Sequence, residues 1–210
     1  MRILYIDTSS SYLYTSIVEN DKVLSEIKEE FGQSLSEVAL PRIVSMFEKT
    51  KLNPRDIDKI IVVNGPGSFT GIRIGITIAK VYAWSLNIPI TTIYSLEAMA
   101  ISSKESTYHV PIINARRGYV FAAIYDENYN VVLKPCHILL TDLQDKLKDI
   151  TNYEYISNDE FDDIEVIPYE PNLLKIVDYF KDKENINPHA VNPEYLKLTE
   201  AEESKLWFMN

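Results

Sequence analysis

The chain has 210 residues, of which 46% are hydrophobic and 25% charged, and its formal net charge is −10. These values predict a globular protein of one large domain or two small lobes, and they argue against tight direct binding of nucleic acid. The single cysteine, Cys136, excludes an intrachain disulfide framework. No apolar run reaches the ~20 residues of a membrane span, and no signal-peptide core precedes Asp7, so we expect a cytoplasmic protein with no membrane partner.

The first hundred residues predict three strands followed by alternating helices and strands. Strands are expected at 3–6, 12–18, 22–27, 57–63 and 88–94, and helices at 34–49, from about 68 to 86, and from Ser95 as N-cap. A meander followed by αβ units predicts a mixed sheet with helices on its faces. This order is that of the ribonuclease-H-like lobe of actin, sugar kinases and Hsp70 ATPase domains.

The second half begins like a reduced copy of the first. Strands are expected at 109–114, 119–125, from 131 and near 153–156, and helices at 141–148 and 171–181. We therefore predict an α/β fold with two ribonuclease-H-like lobes. The first would span residues 1–100, and the second, degenerate and followed by a C-terminal tail, residues 101–210.

Residues 64–76 read N-G-P-G-S-F-T-G-I-R-I-G-I and contain four of the six glycines. The segment is predicted between a buried strand and a helix N-terminus, where backbone N–H groups favour an anion. However, it lacks the lysine of a P-loop, and its glycines miss the dinucleotide-binding spacing by one residue. Asp7, Gly67 and Ser68 are weak candidates for a nucleotide site. The alternative is a structural turn that begins a helix capped by Ser68 or Thr70.

The helix after this turn is apolar on nearly every side, so it must be buried all round, either by the second lobe or by a partner's helix. Gly71 and Gly75 lie four residues apart, which would let another backbone approach. The helix at 34–49 is apolar over about half its circumference, and two such helices can form half of a bundle with another subunit. The predicted partner interface comprises Leu35, Ala39, Ile43, Phe47, Gly71, Ile72, Arg73, Gly75, Ile76 and Ala79.

No catalytic or metal-binding constellation has the required spacing. The histidines at 109, 137 and 189 are scattered, the lone cysteine adds no zinc-type pair, and no G-x-S-x-G motif is present. Asp7 ends the first strand, where actin-like ATPases place a magnesium-linked carboxylate, but the residues that follow lack the usual glycine. We predict no catalytic residue and no metal site, and interpret Asp7 as a turn or cap residue.

Four segments together resemble the TsaB (YeaZ) family: I-D-T-S at 6–9, N-G-P-G-S-F-T-G-I-R-I-G at 64–75, N-A-R-R-G-Y-V-F at 114–121, and P-E-Y-L-K at 193–197 with A-E at 201–202. The resemblance implies a bacterial subunit for making threonylcarbamoyladenosine on tRNA. A paralogous TsaD-type transferase would hold the metal and the activated donor and would be bound through the first two helices. A TsaE-type ATPase would join the complex.

The resemblance also implies that this chain alone binds no cofactor, with ATP, magnesium and metal on partner subunits. It implies a homodimer in isolation and only indirect contact with tRNA. Two departures are Gln33, where the family often has a histidine, and Asn114, where it has an acid. The main hypothesis is therefore a non-catalytic activating subunit. The alternative is a nucleotide-dependent phosphotransferase or ATPase of the actin/sugar-kinase class, whereas metallopeptidase activity lacks ligands.

Overall fold

The computed structural model describes residues 1–31, 34–103 and 108–197, so Gln33 and residues 201–202 lie outside the described residues. The strands are β1 (Arg2–Asp7), β2 (Tyr12–Glu19), β3 (Lys22–Glu30), β4 (Lys59–Val63), β5 (Ile90–Ile93), β6 (Tyr108–Asn114), β7 (Tyr119–Asp126), β8 (Val131–Leu139) and β9 (Tyr153–Ile156). The α-helices are α1 (Leu35–Thr50), α2 (Phe69–Leu86), α3 (Ser95–Ser102), α4 (Leu140–Leu147) and α5 (Leu173–Phe180). In these parts of the chain no helix is long and apolar enough to cross a bilayer.

The first sheet has the strand order β3-β2-β1-β4-β5, antiparallel from β3 to β1 and parallel from β1 to β5. Side chains alternate along β1: Leu4 and Ile6 face a core covered by α1 and α2, whereas Ile3 and Tyr5 face a core covered by α3 and α5. Every residue of β4 is buried, as expected for a strand between two helical layers. The predicted ribonuclease-H-like arrangement is confirmed.

The second sheet has the order β8-β7-β6-β9 and repeats the first as a meander plus one parallel strand. Within residues 108–197 it has no counterpart of β5. The α4 helix covers one face through Leu143 and Leu147, and α3 contributes Leu96 and Met99 to the other face. The second lobe is therefore reduced, and the two-lobed actin-like fold with mixed sheets is confirmed.

The C-terminal part of the chain is not confined to the second lobe. The predicted division near residue 100 separates the two sheets, but the buried side of α5 packs against the first sheet beside Ile3 and Tyr5. Ile186 then forms a bridge to Ile90, and Val191 joins the core beneath α2. The C-terminal part of the chain therefore contributes buried side chains to both cores of the first sheet.

Two helix starts show how local chemistry sets the boundaries. Ser68 is the N-cap of α2, and its hydroxyl accepts a hydrogen bond from the N–H of Gly71 at 3.2 Å, as predicted. The predicted N-cap of α3 is wrong by one residue: Tyr94 is the N-cap, and its N–H donates to Glu97 at 2.8 Å. Ser95 instead donates its hydroxyl to the carbonyl of Pro66 at 2.6 Å, which ties α3 to the glycine-rich segment.

Candidate functional site

The glycines of α2 contact the chain's own first turn. A Cβ added to Gly71 would overlap the carbonyl oxygen of Thr8, and one added to Gly75 would overlap the Thr8 hydroxyl. The Thr8 hydroxyl also donates to the Gly71 carbonyl at 2.7 Å. Sequence reasoning assigned both glycines to clearance for a partner's backbone, and that prediction is wrong. The clearance is for Thr8, which joins β1 to the turn before β2.

The C-terminal segment closes over the other end of the glycine-rich segment. The N–H of Glu194 donates to the carbonyl of Asn64 at 2.8 Å, and a Cβ on Gly65 would overlap the Glu194 carbonyl. Further along, the Lys80 ammonium donates to the carbonyl of Val191 at 2.9 Å. Residues 191–194 are thus held against α2 and the turn that precedes it.

Asp7, Gly67 and Ser68, the candidates for a nucleotide site, each contact the backbone of Ser9. The N–H of Ser68 donates to the carbonyl of Ser9 at 2.7 Å, and Ser9 backbone fills the open side of Gly67. Asp7 is 3% exposed and accepts from the N–H of Ser9 at 2.8 Å, while burial raises the pKa of its carboxyl group. The N–H groups of Ser9, Ser68 and Gly71 are thus engaged by protein acceptors, and these residues form a turn and a helix cap.

The predicted partner-interface residues are mostly core residues of this chain. All of them except Arg73 are buried, several completely: Leu35, Ala39, Ile43, Phe47, Gly71, Ile72, Gly75, Ile76 and Ala79. A residue buried under its own sheet cannot contact a second protein, so this part of the prediction is corrected. The error arose because the most regular apolar spacing on each helix marks the side that covers the sheet.

The opposite side of the same two helices is exposed and carries five large apolar side chains among polar ones. We define the α1/α2 apolar face as Leu40, Val44, Phe69, Val81 and Trp84, which are 54%, 47%, 55%, 58% and 65% exposed. The two helices contact one another through the rings of Phe47 and Tyr82, whose centroids lie 6.1 Å apart. Sequence reasoning missed these residues individually, although the signal was present as an apolar arc wider than burial on one side requires.

Arg73 is the one predicted interface residue on the surface. Its Nε donates to the Tyr195 hydroxyl at 2.7 Å, and its guanidinium carbon lies 3.7 Å from the centroid of the Phe69 ring. The rings of Phe69 and Tyr195 stack with centroids 5.1 Å apart. Arg73 therefore lies at the start of α2 between the apolar face and the C-terminal segment.

Asn114 shapes the hairpin between β6 and β7. Its side-chain oxygen accepts from the N–H of Arg116 at 2.8 Å, and its own N–H donates to Asp159 at 2.7 Å. Arg116 and Arg117 have φ values of 68° and 53° and are exposed. Asn114 is thus a turn residue, and its hydrogen bonds to the backbone of the hairpin and to Asp159 explain why an amide side chain suits this position.

A cavity of about 1660 Å³ between the lobes contains Ser103, His109 and Glu154 in its lining. The Ser103 hydroxyl lies 2.7 Å from His109 Nδ1, and a Glu154 oxygen lies 3.7 Å from the same nitrogen. A catalytic relay needs the serine and the acid on different ring nitrogens, so this group is not one. Burial, with Lys175 nearby, lowers the pKa of His109. Across the described residues, no group of three or more His, Cys, Asp or Glu side chains could hold a metal ion.

Comparison with known proteins agrees with this arrangement. The family model described as "TsaD: tRNA N6-adenosine threonylcarbamoyltransferase" matches residues 22–202. The tRNA threonylcarbamoyladenosine biosynthesis protein TsaB of Bacillus subtilis (strain 168) is 31% identical, over 96% of each chain. TsaB of Escherichia coli (strain K12) is 31% identical over 62% of this chain and 57% of its own. The solved structure of YeaZ from Pseudomonas aeruginosa has a TM-score of 0.70 at 17% identity, covering 93% of this chain and 99% of that one.

The two mixed sheets, each an antiparallel meander extended by parallel strand pairing, define a two-lobed α/β protein of the actin-like class. The relationship to TsaD at the level of the family model places it among the proteins of threonylcarbamoyladenosine synthesis. Within that group, the chain belongs to the TsaB (YeaZ) family. The resemblance carried by the four sequence segments is confirmed.

Proposed function

We propose that this chain is a non-catalytic subunit that docks on a TsaD-type transferase and activates it to threonylcarbamoylate the adenosine next to the anticodon of tRNA. The observation that carries the proposal is the α1/α2 apolar face. The TsaB relatives are named as biosynthesis proteins for this modification, and the family model that matches most of the chain describes the transferase.

The α1/α2 apolar face has the character of a docking surface. Leu40 and Val44 lie four residues apart on α1, and Val81 and Trp84 lie three apart on α2, so each pair shares one side of its helix. Large apolar side chains left exposed together on one side of neighbouring helices are typical of an interface. A large exposed aromatic such as Trp84 is also the residue type enriched among energetic hot spots.

The proposal includes that this chain is not catalytic. The hydrogen bonds of Asp7 and Ser68 support this part of it. Both are engaged in local hydrogen bonds with the turn or the start of α2. We expect ATP, magnesium and metal on the TsaD-type and TsaE-type subunits, in the cytoplasm, with tRNA reached through the complex. In isolation, two copies could pair through the same face as a homodimer.

The test replaces Val81 by Arg and measures the affinity for the TsaD-type subunit of the same organism by calorimetry. A buried, unpaired charge at the interface should weaken binding at least about 100-fold. The matched control is Val132→Arg, because Val132 is 53% exposed on β8 of the second lobe. The proposal fails if both variants bind like the unmodified protein, or if the unmodified protein neither binds the transferase nor raises its activity.

A further inference from the structure

We infer that the Arg73 side chain is pre-positioned to bind a carboxylate of the transferase partner. Tyr195 in the C-terminal segment is the residue that positions Arg73. This inference rests on the proposed function, since it names the chemistry of the partner at the same face. Arg73 is the single charged side chain among the predicted interface residues. Tyr195 belongs to the P-E-Y-L-K segment at 193–197, whose presence the fold alone does not explain.

The Arg73 guanidinium is restrained on two sides by aromatic residues. Tyr195 accepts from its Nε at 2.7 Å, and Phe69 lies under the guanidinium plane at 3.7 Å from its carbon to the ring centroid. A guanidinium carries five N–H donors in a fixed fork. In the described part of the chain, only the Nε donor has a protein acceptor, so the outer donors of Arg73 remain for a ligand.

Within residues 1–31, 34–103 and 108–197, no acid pairs with Arg73. Arg2 and Arg42 each form an ion pair, with Glu19 at 2.6 Å and Glu29 at 3.1 Å, whereas no carboxylate among the described residues pairs with Arg73. An arginine that none of the described acids pairs with is available to an acid supplied by another protein. A planar fork is suited to bidentate binding of a carboxylate.

The position of Arg73 makes an ion pair there strong. It lies on α2 four residues before Thr77 and eight before Val81, on the side of the helix that also carries Trp84. A partner that covers the α1/α2 apolar face would remove water from around the guanidinium, and a desolvated, well-aligned pair contributes more than a fully exposed one. Because the side chain is already ordered, less conformational entropy is lost on docking.

Tyr195 is fixed by contacts of the segment that precedes it. Glu194 donates its N–H to Asn64, and Lys80 donates to the carbonyl of Val191. The hydroxyl of Tyr195 is therefore held at a constant place relative to α2. Its loss would leave Phe69 under the guanidinium but would free the Nε side, so Arg73 would sample more rotamers.

The proposed occupant is the transferase rather than a second copy of this chain. A second copy would bring another Arg73 to the same face along with its own net charge of −10. A transferase with a carboxylate opposite Arg73 would supply the complementary charge that a second Arg73 cannot. Pairing of two copies through Arg73 is therefore an outcome that would count against the inference.

The experiment is a double-mutant cycle on the complex with the TsaD-type subunit, measured by calorimetry at low and high salt. The variants are Arg73→Gln, Tyr195→Phe and the two combined, with Tyr179→Phe as control because Tyr179 is an exposed tyrosine, 48% accessible, on α5. We expect Arg73→Gln to weaken binding about tenfold and to reduce its salt dependence. Tyr195→Phe should weaken binding about threefold alone and have no further effect in the Arg73→Gln background.

Three results would overturn the inference, and each is distinguishable from failure of the proposed function. In the first, Arg73→Gln binds normally while Val81→Arg does not. In the second, the effects of Tyr195→Phe and Arg73→Gln are additive, which would show that Tyr195 acts only through packing. In the third, Arg73→Gln weakens self-association of this chain and leaves transferase binding unchanged. Equal thermal melting of all variants would show that the fold is intact, and Arg73→Lys, which keeps the charge but loses the fork, should recover only part of the affinity.

Discussion

The Thr8 hydroxyl donates a hydrogen bond of 2.7 Å to the carbonyl oxygen of Gly71. This contact joins the end of β1 to the first turn of α2, and it exists because Gly71 and Gly75 have no side chain in the way. The glycines of the glycine-rich segment therefore serve packing within the chain. The exposed side chains of α2, such as Val81 and Trp84, are available to a partner, whereas the glycines are not.

Gly75→Ala should destabilise the protein. In an exposed helix this substitution would gain about 1 kcal/mol, because alanine is the better helix former. Here the added Cβ would overlap the Thr8 hydroxyl, and overpacking of this kind costs about 1–3 kcal/mol. Urea denaturation measures the free energy of unfolding, with Thr77→Ala, an exposed position on the same helix, as control. A gain in stability for Gly75→Ala would show that Thr8 does not lie against this glycine.

Asp7→Asn should become relatively more stable than the unmodified protein as the pH rises. Burial raises the pKa of the Asp7 carboxyl group above its ordinary value, so the folded protein holds this proton more tightly than the unfolded chain. The stabilising effect of the protonated form is fully present below the unfolded pKa and is lost as the pH rises through the folded pKa. Asparagine does not titrate and escapes this loss.

The measurement for Asp7 is the difference in unfolding free energy between Asp7→Asn and the unmodified protein, determined by urea at several pH values from acid to neutral. Taking the difference cancels the other carboxylates. Asp162→Asn is the control, because Asp162 is exposed. A difference that is constant with pH, or that changes in the opposite direction, would contradict a raised pKa for Asp7.

Docking of the transferase should shift the fluorescence emission of Trp84 to shorter wavelength. The indole is 65% exposed in the free chain and would lose water contact if the α1/α2 apolar face is covered. The other tryptophan is Trp207, so the experiment uses a Trp207→Phe background and a tryptophan-free transferase. Binding detected by calorimetry with no shift in emission would place the interface away from Trp84.

Ser68→Ala should destabilise the protein by about 1 kcal/mol through loss of the N-cap of α2. Ser85→Ala is the control, because Ser85 is exposed near the end of the same helix.

Calorimetry of the isolated chain with Mg·ATP should show no micromolar binding before or after the Ser68→Ala substitution. Micromolar binding that Ser68→Ala abolishes would instead assign this turn to a nucleotide.

The fold could be predicted because its signals are local and strong. The buried run at β4, the alternation in β1 and the Ser68 cap each follow from a few adjacent residues. The repetition of a meander after residue 108 predicted the second lobe in the same way. The cap of α3 was missed by one residue because Glu97 supplies the hydrogen bond to Tyr94, a contact that a preference for serine at N-caps does not reveal.

The sequence by itself determined that this is a two-lobed protein of the TsaB family. It also showed that α1 and α2 carry more apolar side chains than the one side facing the sheet can bury. The tertiary structure decided which side of each helix faces outward, since helical spacing is the same whether a residue covers its own sheet or a partner. It placed Thr8 beside Gly75 and Tyr195 beside Arg73, pairs separated by many residues along the chain. Contacts of that kind depend on how the whole chain packs, and no local pattern encodes them.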